Sequence, residues 1–113
     1  MFSEDKKAVK ELMRLLDKKE TPDEIVEIIQ RTILEIVEAD QKLANTVYTE
    51  VQRDTGNKKV DQEWEKASQE LLKAEEELNH VDKNGVSDPR YDKAIDHYKK
   101  AWQHSQRAIE HAS

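Results

Sequence analysis

The amino-acid sequence predicts an all-α protein: one domain over 1–113, built as an antiparallel bundle of a short N-terminal helix and three long ones. Three observations lead there. Glycine and proline number two each in 113 residues, so the chain has few places to turn. Apolar residues recur at three-four strides throughout, and the breakers coincide with helix start and stop signals. Charged residues (39%) outnumber hydrophobic ones (35%), a balance that drifts toward disorder. The charges are mixed in sign, however, and the apolar period argues for a packed core.

The first helix is expected over 3–19. Ser3 is its N-cap candidate, acids open it, lysines close it, and Val9, Leu12, Met13, Leu15 and Leu16 form its apolar side. Thr21-Pro22-Asp23-Glu24 reads as a second start, with a capping threonine, proline at the first helical position and Glu24 completing a capping box. No breaker follows before Gly56, so a helix over 22–54 is expected, roughly 50 Å long. Thr55-Gly56-Asn57 ends it. A third helix over 59–83 carries Val60, Trp64, Ala67, Leu71, Ala74, Leu78 and Val81 in strict alternation. Asn84-Gly85 stops that run, and Ser87-Asp88-Pro89 opens a fourth helix over 88–111. Its seam runs through Tyr91, Ala94, Ile95, Tyr98, Ala101, Trp102, Ser105, Ala108 and Ile109. Folding the chain about Asn84-Gly85 sets Leu78 near Ala94 and Ile95, Ala74 near Tyr98, Leu71 near Ala101 and Trp102, and Trp64 near Ala108.

Composition excludes several functions. The net charge of −6 is spread along the chain, with 9 basic and 13 acidic residues in 1–55 and 10 and 12 in 56–113. Neither half carries the basic stripe that phosphate binding needs, so neither nucleic acid nor an anionic membrane surface is expected as a partner. Without cysteine there are no disulfides, thiolate nucleophiles or thiolate metal sites. The first fifteen residues are too charged for a signal peptide. The most apolar window, Ile25 to Val37, has eight apolar residues in thirteen and is broken by Glu27, Gln30, Arg31 and Glu35. As written the chain is expected in the cytoplasm, or outside the cell if it is an excised piece of a longer protein.

No constellation carries an enzyme's chemistry, and no catalytic, cofactor-binding or metal-binding residue is assigned. His97, His104 and His111 are seven apart and read as a solvated stripe, because zinc needs i, i+3 or i+4 partners. The run His80 to Gly85 echoes a calcium loop but lacks the anchors at its first and twelfth places, so a helix end followed by a helix start explains it better. Asp54-Thr55-Gly56 spells the aspartic-protease triplet without a second copy. Glu77-Leu-Asn-His80 has di-iron spacing once where two copies are required. Glu75, Glu76 and Glu77 read as a solvated run. Trp64, Tyr98 and Trp102 could line a ligand cavity, but at heptad spacing they read first as core.

The segment Tyr91-Asp-Lys-Ala-Ile-Asp-His-Tyr-Lys-Lys-Ala-Trp102, continuing to Ile109 and preceded by Lys73 to Leu78, resembles the non-catalytic helical hairpins of large secreted and surface proteins, notably archaeal ones. Val37 to Ala44 is similar to the helix that precedes such hairpins. The resemblance covers about 37–110 and leaves 1–36 outside it. It implies a spacer or docking module with no catalytic residues.

The function expected is therefore a non-catalytic structural or protein-interaction module, with a small-molecule- or metal-binding bundle as the alternative. Ile25, Val26, Ile28, Ile29, Ile33, Leu34, Ile36 and Val37 spread around more of the second helix than one neighbour would bury. Either the chain's other helices surround them, or they meet a protein partner or a second copy in a homodimer.

Overall fold

The computed structural model describes residues 1–51 and 56–112, and in it the protein is an all-α bundle. Four helices follow in chain order: α1 (Phe2–Leu16), α2 (Asp23–Glu50), α3 (Lys58–Leu78) and α4 (Tyr91–Ala112). They form a flattened body of 57 × 29 × 16 Å. Helix α4 is the hub. It packs along α3, along α2 and against α1, whereas α2 and α3 barely meet. The main core gathers Phe2 and Val9 from α1, Ile29, Ile33, Val37 and Ala44 from α2, Ala74 from α3, and Ala94, Ile95, Tyr98 and Ala101 from α4. A smaller cluster at the far end joins Val51, Val60 and Ala108 beneath Trp64 and Ile109.

Each helix boundary differs from the sequence expectation for a local reason. Helix α1 starts one residue early because Phe2 is buried against Trp102, their ring centroids 5.8 Å apart. Ser3 therefore lies inside the first turn, and its hydroxyl accepts a hydrogen bond from Lys99 at 3.0 Å. The helix stops at Leu16 rather than 19, since Asp17-Lys18-Lys19-Glu20 has no apolar side chain whose burial would stabilise another turn. Thr21 does not cap α2. Its hydroxyl donates to the Leu15 carbonyl at 2.8 Å, closing α1, and Pro22 takes the N-cap position of α2 without a side-chain cap. The described part of α2 ends at Glu50, so Asp54 and Thr55 lie outside the described residues.

Helix α3 opens on Asn57, preceded by Gly56 at φ 77°, a backbone state that glycine enters without steric cost. The Asn57 Oδ1 accepts the Lys59 and Val60 amides at 3.0 and 3.5 Å, while its Nδ2 donates to the His111 carbonyl at 3.1 Å. One amide thus caps α3 and ties down the end of α4. Asn57→Ala is expected to cost about 1–2 kcal/mol, and Asn57→Asp to keep the cap while losing the tie. Chemical denaturation of the two variants separates the contributions.

The largest departure is the connection between α3 and α4. It spans twelve residues, 79–90, because α3 ends at Leu78 rather than 83 and α4 begins at Tyr91 rather than 88. Asp82 organises it: its Oδ1 accepts the Asn84 and Val86 amides at 2.8 and 3.0 Å, and Gly85 turns at φ 78°. An isolated bridge pairs Val81 with Ser87. Backbone bonds from Asp88 to His80 and from Arg90 to Glu77, both 2.8 Å, tie the approach to α4 back onto the end of α3. Val81 is thereby excluded from the helical seam and exposed.

Candidate interaction surfaces

Two features dominate the α3–α4 hairpin. The first is a dry seam of small residues: Val60, Ala67 and Ala74 on α3, and Ala108, Ala101 and Ala94 on α4, are all fully buried and spaced by sevens. The second is a ladder of polar rungs beside it. Glu63 lies 2.6 Å from the Nδ1 of His104, and Glu70 lies 2.5 Å from that of His97. Glu77 faces Arg90 at 4.0 Å. Each rung moves seven residues along one helix and seven back along the other. Lys66 and Lys73 reinforce the first two from within α3, at 4.0 and 3.6 Å.

This ladder corrects two expectations. His97 and His104 do not form a solvated stripe; both are half-buried and paired across the hairpin. The rungs are centred between residues 83 and 84, whereas the expected pairs Ala74–Tyr98 and Leu71–Ala101 are centred on residue 86, so the pairing differs by about one helical turn. At that register Ala67 stands opposite Ala101 and Ala74 opposite Ala94, so small meets small and the two helices approach closely. Glu63, Glu70 and Glu77 share the heptad spacing of Arg90, His97 and His104. That antiparallel match was present in the sequence and was the signal for this ladder.

The α1–α2 pair holds one buried acid. Asp40 is 2% exposed, and its Oδ2 finds no hydrogen-bond partner among the described residues. Burial, a hydrogen bond to Asp5 of α1 and the charge of Asp5 push its pKa up to about 8, while the N-terminal ammonium pulls the other way. At neutral pH Asp40 therefore keeps its proton, and its hydrogen bond to Asp5 links α1 to α2. Nothing in the apolar pattern of α2 announced this residue.

The apolar stretch of α2 divides by face. Ile29, Ile33 and Val37 enter the chain's own core under α1 and α4, which removes them from the surface a partner could reach. Val26 and Ile36 are half-buried. Ile25 (45% exposed) and Ile28 (55%) stand one turn apart on one flank, and Leu34 (47%) stands on the other.

Between α2 and α3 runs an open cleft floored by Tyr98, with a depression of about 270 Å³. Gln41, Asn45 and Tyr48 of α2 face Ser68, Leu72 and Glu75 of α3 across it. The three aromatic residues expected to line a cavity take different neighbours. Trp64 stacks on Tyr48 with centroids 5.3 Å apart, Trp102 meets Phe2, and Tyr98 is buried between them.

The remaining motifs separate. Glu77 turns to Arg90 and His80 to Asp88 at 3.5 Å, so Glu77 and His80 each serve a different partner. Among the described residues no group of three His, Asp or Glu side chains could hold a metal ion, and no helix is long and apolar enough to cross a membrane. No protein-family model, curated protein or solved structure matches the chain.

Proposed function

We propose that this chain is a non-catalytic structural or protein-interaction module, and that the outer flank of α2 is one of its contact surfaces. The supporting observation is the pair Ile25 and Ile28, whose β-branched side chains stay half in water although the core lies a quarter-turn away. Adjacent exposed apolar residues on a highly charged surface favour a protein contact. The partner on this flank is a second copy or another protein. A small-molecule reading has behind it the cleft of about 270 Å³ and a depression of about 490 Å³ at Tyr48, Thr49, Val51 and Trp64, but the latter gathers none of the convergent charged groups that orient a ligand.

The test is the absolute mass by light scattering at two concentrations, for the wild type and for Ile25→Ser/Ile28→Ser. Because both residues are exposed, the double variant is expected to fold with little loss, about 1 kcal/mol or less. A wild-type dimer that becomes a 13.2 kDa monomer on substitution supports self-association through this flank. A dimer indifferent to the substitutions removes the flank from the interface, and a wild-type monomer at both concentrations removes the second copy.

A further inference from the structure

Helices α2, α3 and α4 form three sides of a bundle whose fourth side is open. Both α2 and α3 pack on α4 but scarcely on each other beyond the Tyr48–Trp64 stack, so a cleft opens between Gln41–Tyr48 and Ser68–Glu75 with Tyr98 at its floor. Tyr98 is 1% exposed, and its hydroxyl has no hydrogen-bond partner among the described residues. A buried hydroxyl without a partner is costly, and here it lines a cleft rather than a closed core. Burial first, and then the negative charge of Glu75, hold its phenol above the ordinary value.

The walls add an apolar and an electrostatic requirement. Leu72 of α3 is 58% exposed at the lip, and Leu34 of α2 lies on the corresponding stripe of the opposite wall. Strides of three and four carry the α3 stripe through Asp61, Glu65, Ser68, Leu72 and Glu75, about 21 Å of helix. The α2 stripe that runs beside α3 passes through Leu34, level with the end of α3, and then Glu38, Gln41 and Asn45. The charged members of these two stripes, Asp61, Glu65, Glu75 and Glu38, are carboxylates, and all four are exposed. A second copy presenting the same face would set acid against acid.

Resting on the interaction-module reading, we infer that the α2–α3 cleft receives a basic amphipathic helix of a partner protein. Its apolar side covers Leu72 and Leu34, and a lysine or arginine reaches the Tyr98 hydroxyl and the Glu75 carboxylate. The added helix completes a four-helix bundle, using the helix-in-groove mode of recognition. The surface is distinct from the Ile25–Ile28 flank, so the two can fail separately.

The experiment is an amide-shift titration of the full chain with a fifteen-residue amphipathic peptide of leucine and lysine. Three controls accompany it: the same peptide with glutamate for lysine, free arginine, and dilution of the protein alone. The basic peptide is expected to shift Asn45, Ser68 and Leu72 and to bind at least tenfold more tightly than its acidic counterpart. Leu72→Glu should weaken it about tenfold or more, an effect of one anchor residue, while Tyr98→Phe should lower its preference for lysine-bearing over norleucine-bearing peptide. Shifts spread over the whole acidic surface, binding unchanged in Leu72→Glu, free arginine reproducing the cleft shifts, or cleft shifts that follow protein concentration would each overturn the proposal. None of these outcomes bears on the mass measurement.

Discussion

Between pH 5 and pH 9 the wild-type protein is expected to lose roughly 10 °C in Tm, whereas Asp40→Asn should stay nearly level. Asp40 is buried beside Asp5, and its carboxyl is raised from 3.8 to about 8. In the unfolded chain it ionises near the ordinary value. Between those two pH values the folded state therefore binds a proton that the unfolded state has released, and stability falls as pH rises. The contribution is complete below about pH 4 and gone once pH passes the folded value. Each tenfold difference in proton affinity between the folded and unfolded states corresponds to about 1.4 kcal/mol, so the whole window sets an upper limit of about 6 kcal/mol. Peeling α1 away gives the ionised Asp40 access to water and reduces the global effect to about 2–3 kcal/mol, which is the origin of the 10 °C figure. General repulsion within a chain of net charge −6 also grows with pH, but the variant shares it, so the difference between the two Tm curves isolates Asp40. Parallel curves for wild type and variant would dismiss the proton on Asp40.

The same pair sets the order of opening. Helix α1 has fifteen residues, and two of them, Phe2 and Val9, are buried. It is the short element, at the length where an isolated helix is marginal in water. Its docking relies on the Phe2–Trp102 contact, the Asp5–Asp40 proton and a 3.5 Å ion pair from Lys6 to Asp96 of α4. Ionisation of Asp40 acts on one of the three directly. The α3–α4 hairpin has no such dependence on α1, because its ladder and its alanine seam lie within the two helices themselves.

The helix count and the all-α class could be read from the strides of α2, α3 and α4, since nothing in those runs competes with a 3.6-residue period. Caps were read less well, for a reason Thr21 makes plain. A threonine before a proline can serve either the helix it follows or the one it precedes, and the choice depends on which orphan group lies nearer in three dimensions. Here the Leu15 carbonyl won. Val81 fits the α3 seam by spacing alone, yet Asp82, which binds the backbone amides of Asn84 and Val86, draws it into a turn. The local hydrogen bonds of a single aspartate outweigh one more apolar contact. At the candidate surfaces, the apolar excess on α2 was legible, but its division between core and water depends on where α1 sits. The cleft could not be inferred in advance, because it arises where α2 and α3 part beyond the Tyr48–Trp64 stack, which no stride within either of them encodes.

Ala101→Leu is expected to destabilise the protein by about 3 kcal/mol, as much as many large-to-small core replacements, although it adds apolar surface. The residue is fully buried in the α3–α4 seam, and the rungs Glu70–His97 and Glu63–His104 place it opposite Ala67. Methyl against methyl lets the two helix backbones approach, and that approach brings each glutamate within hydrogen-bond reach of its histidine. A leucine at 101 must force the helices apart or adopt a poor rotamer, at a cost of about 1–3 kcal/mol from overpacking alone. Separation then lengthens both flanking rungs and carries the total to the top of that range. The register makes a second, sharper demand. Ala67→Gly opens room directly across from residue 101, at about 1 kcal/mol for glycine in a helix. Combined with Ala101→Leu it should cost less than the sum of the single changes by about 1 kcal/mol or more, the coupling expected of residues in contact. Urea unfolding of the two single variants and the double variant measures this. Strict additivity would mean that residues 67 and 101 do not face each other, and a loss below 1 kcal/mol for Ala101→Leu would mean that the helices are not closely packed there.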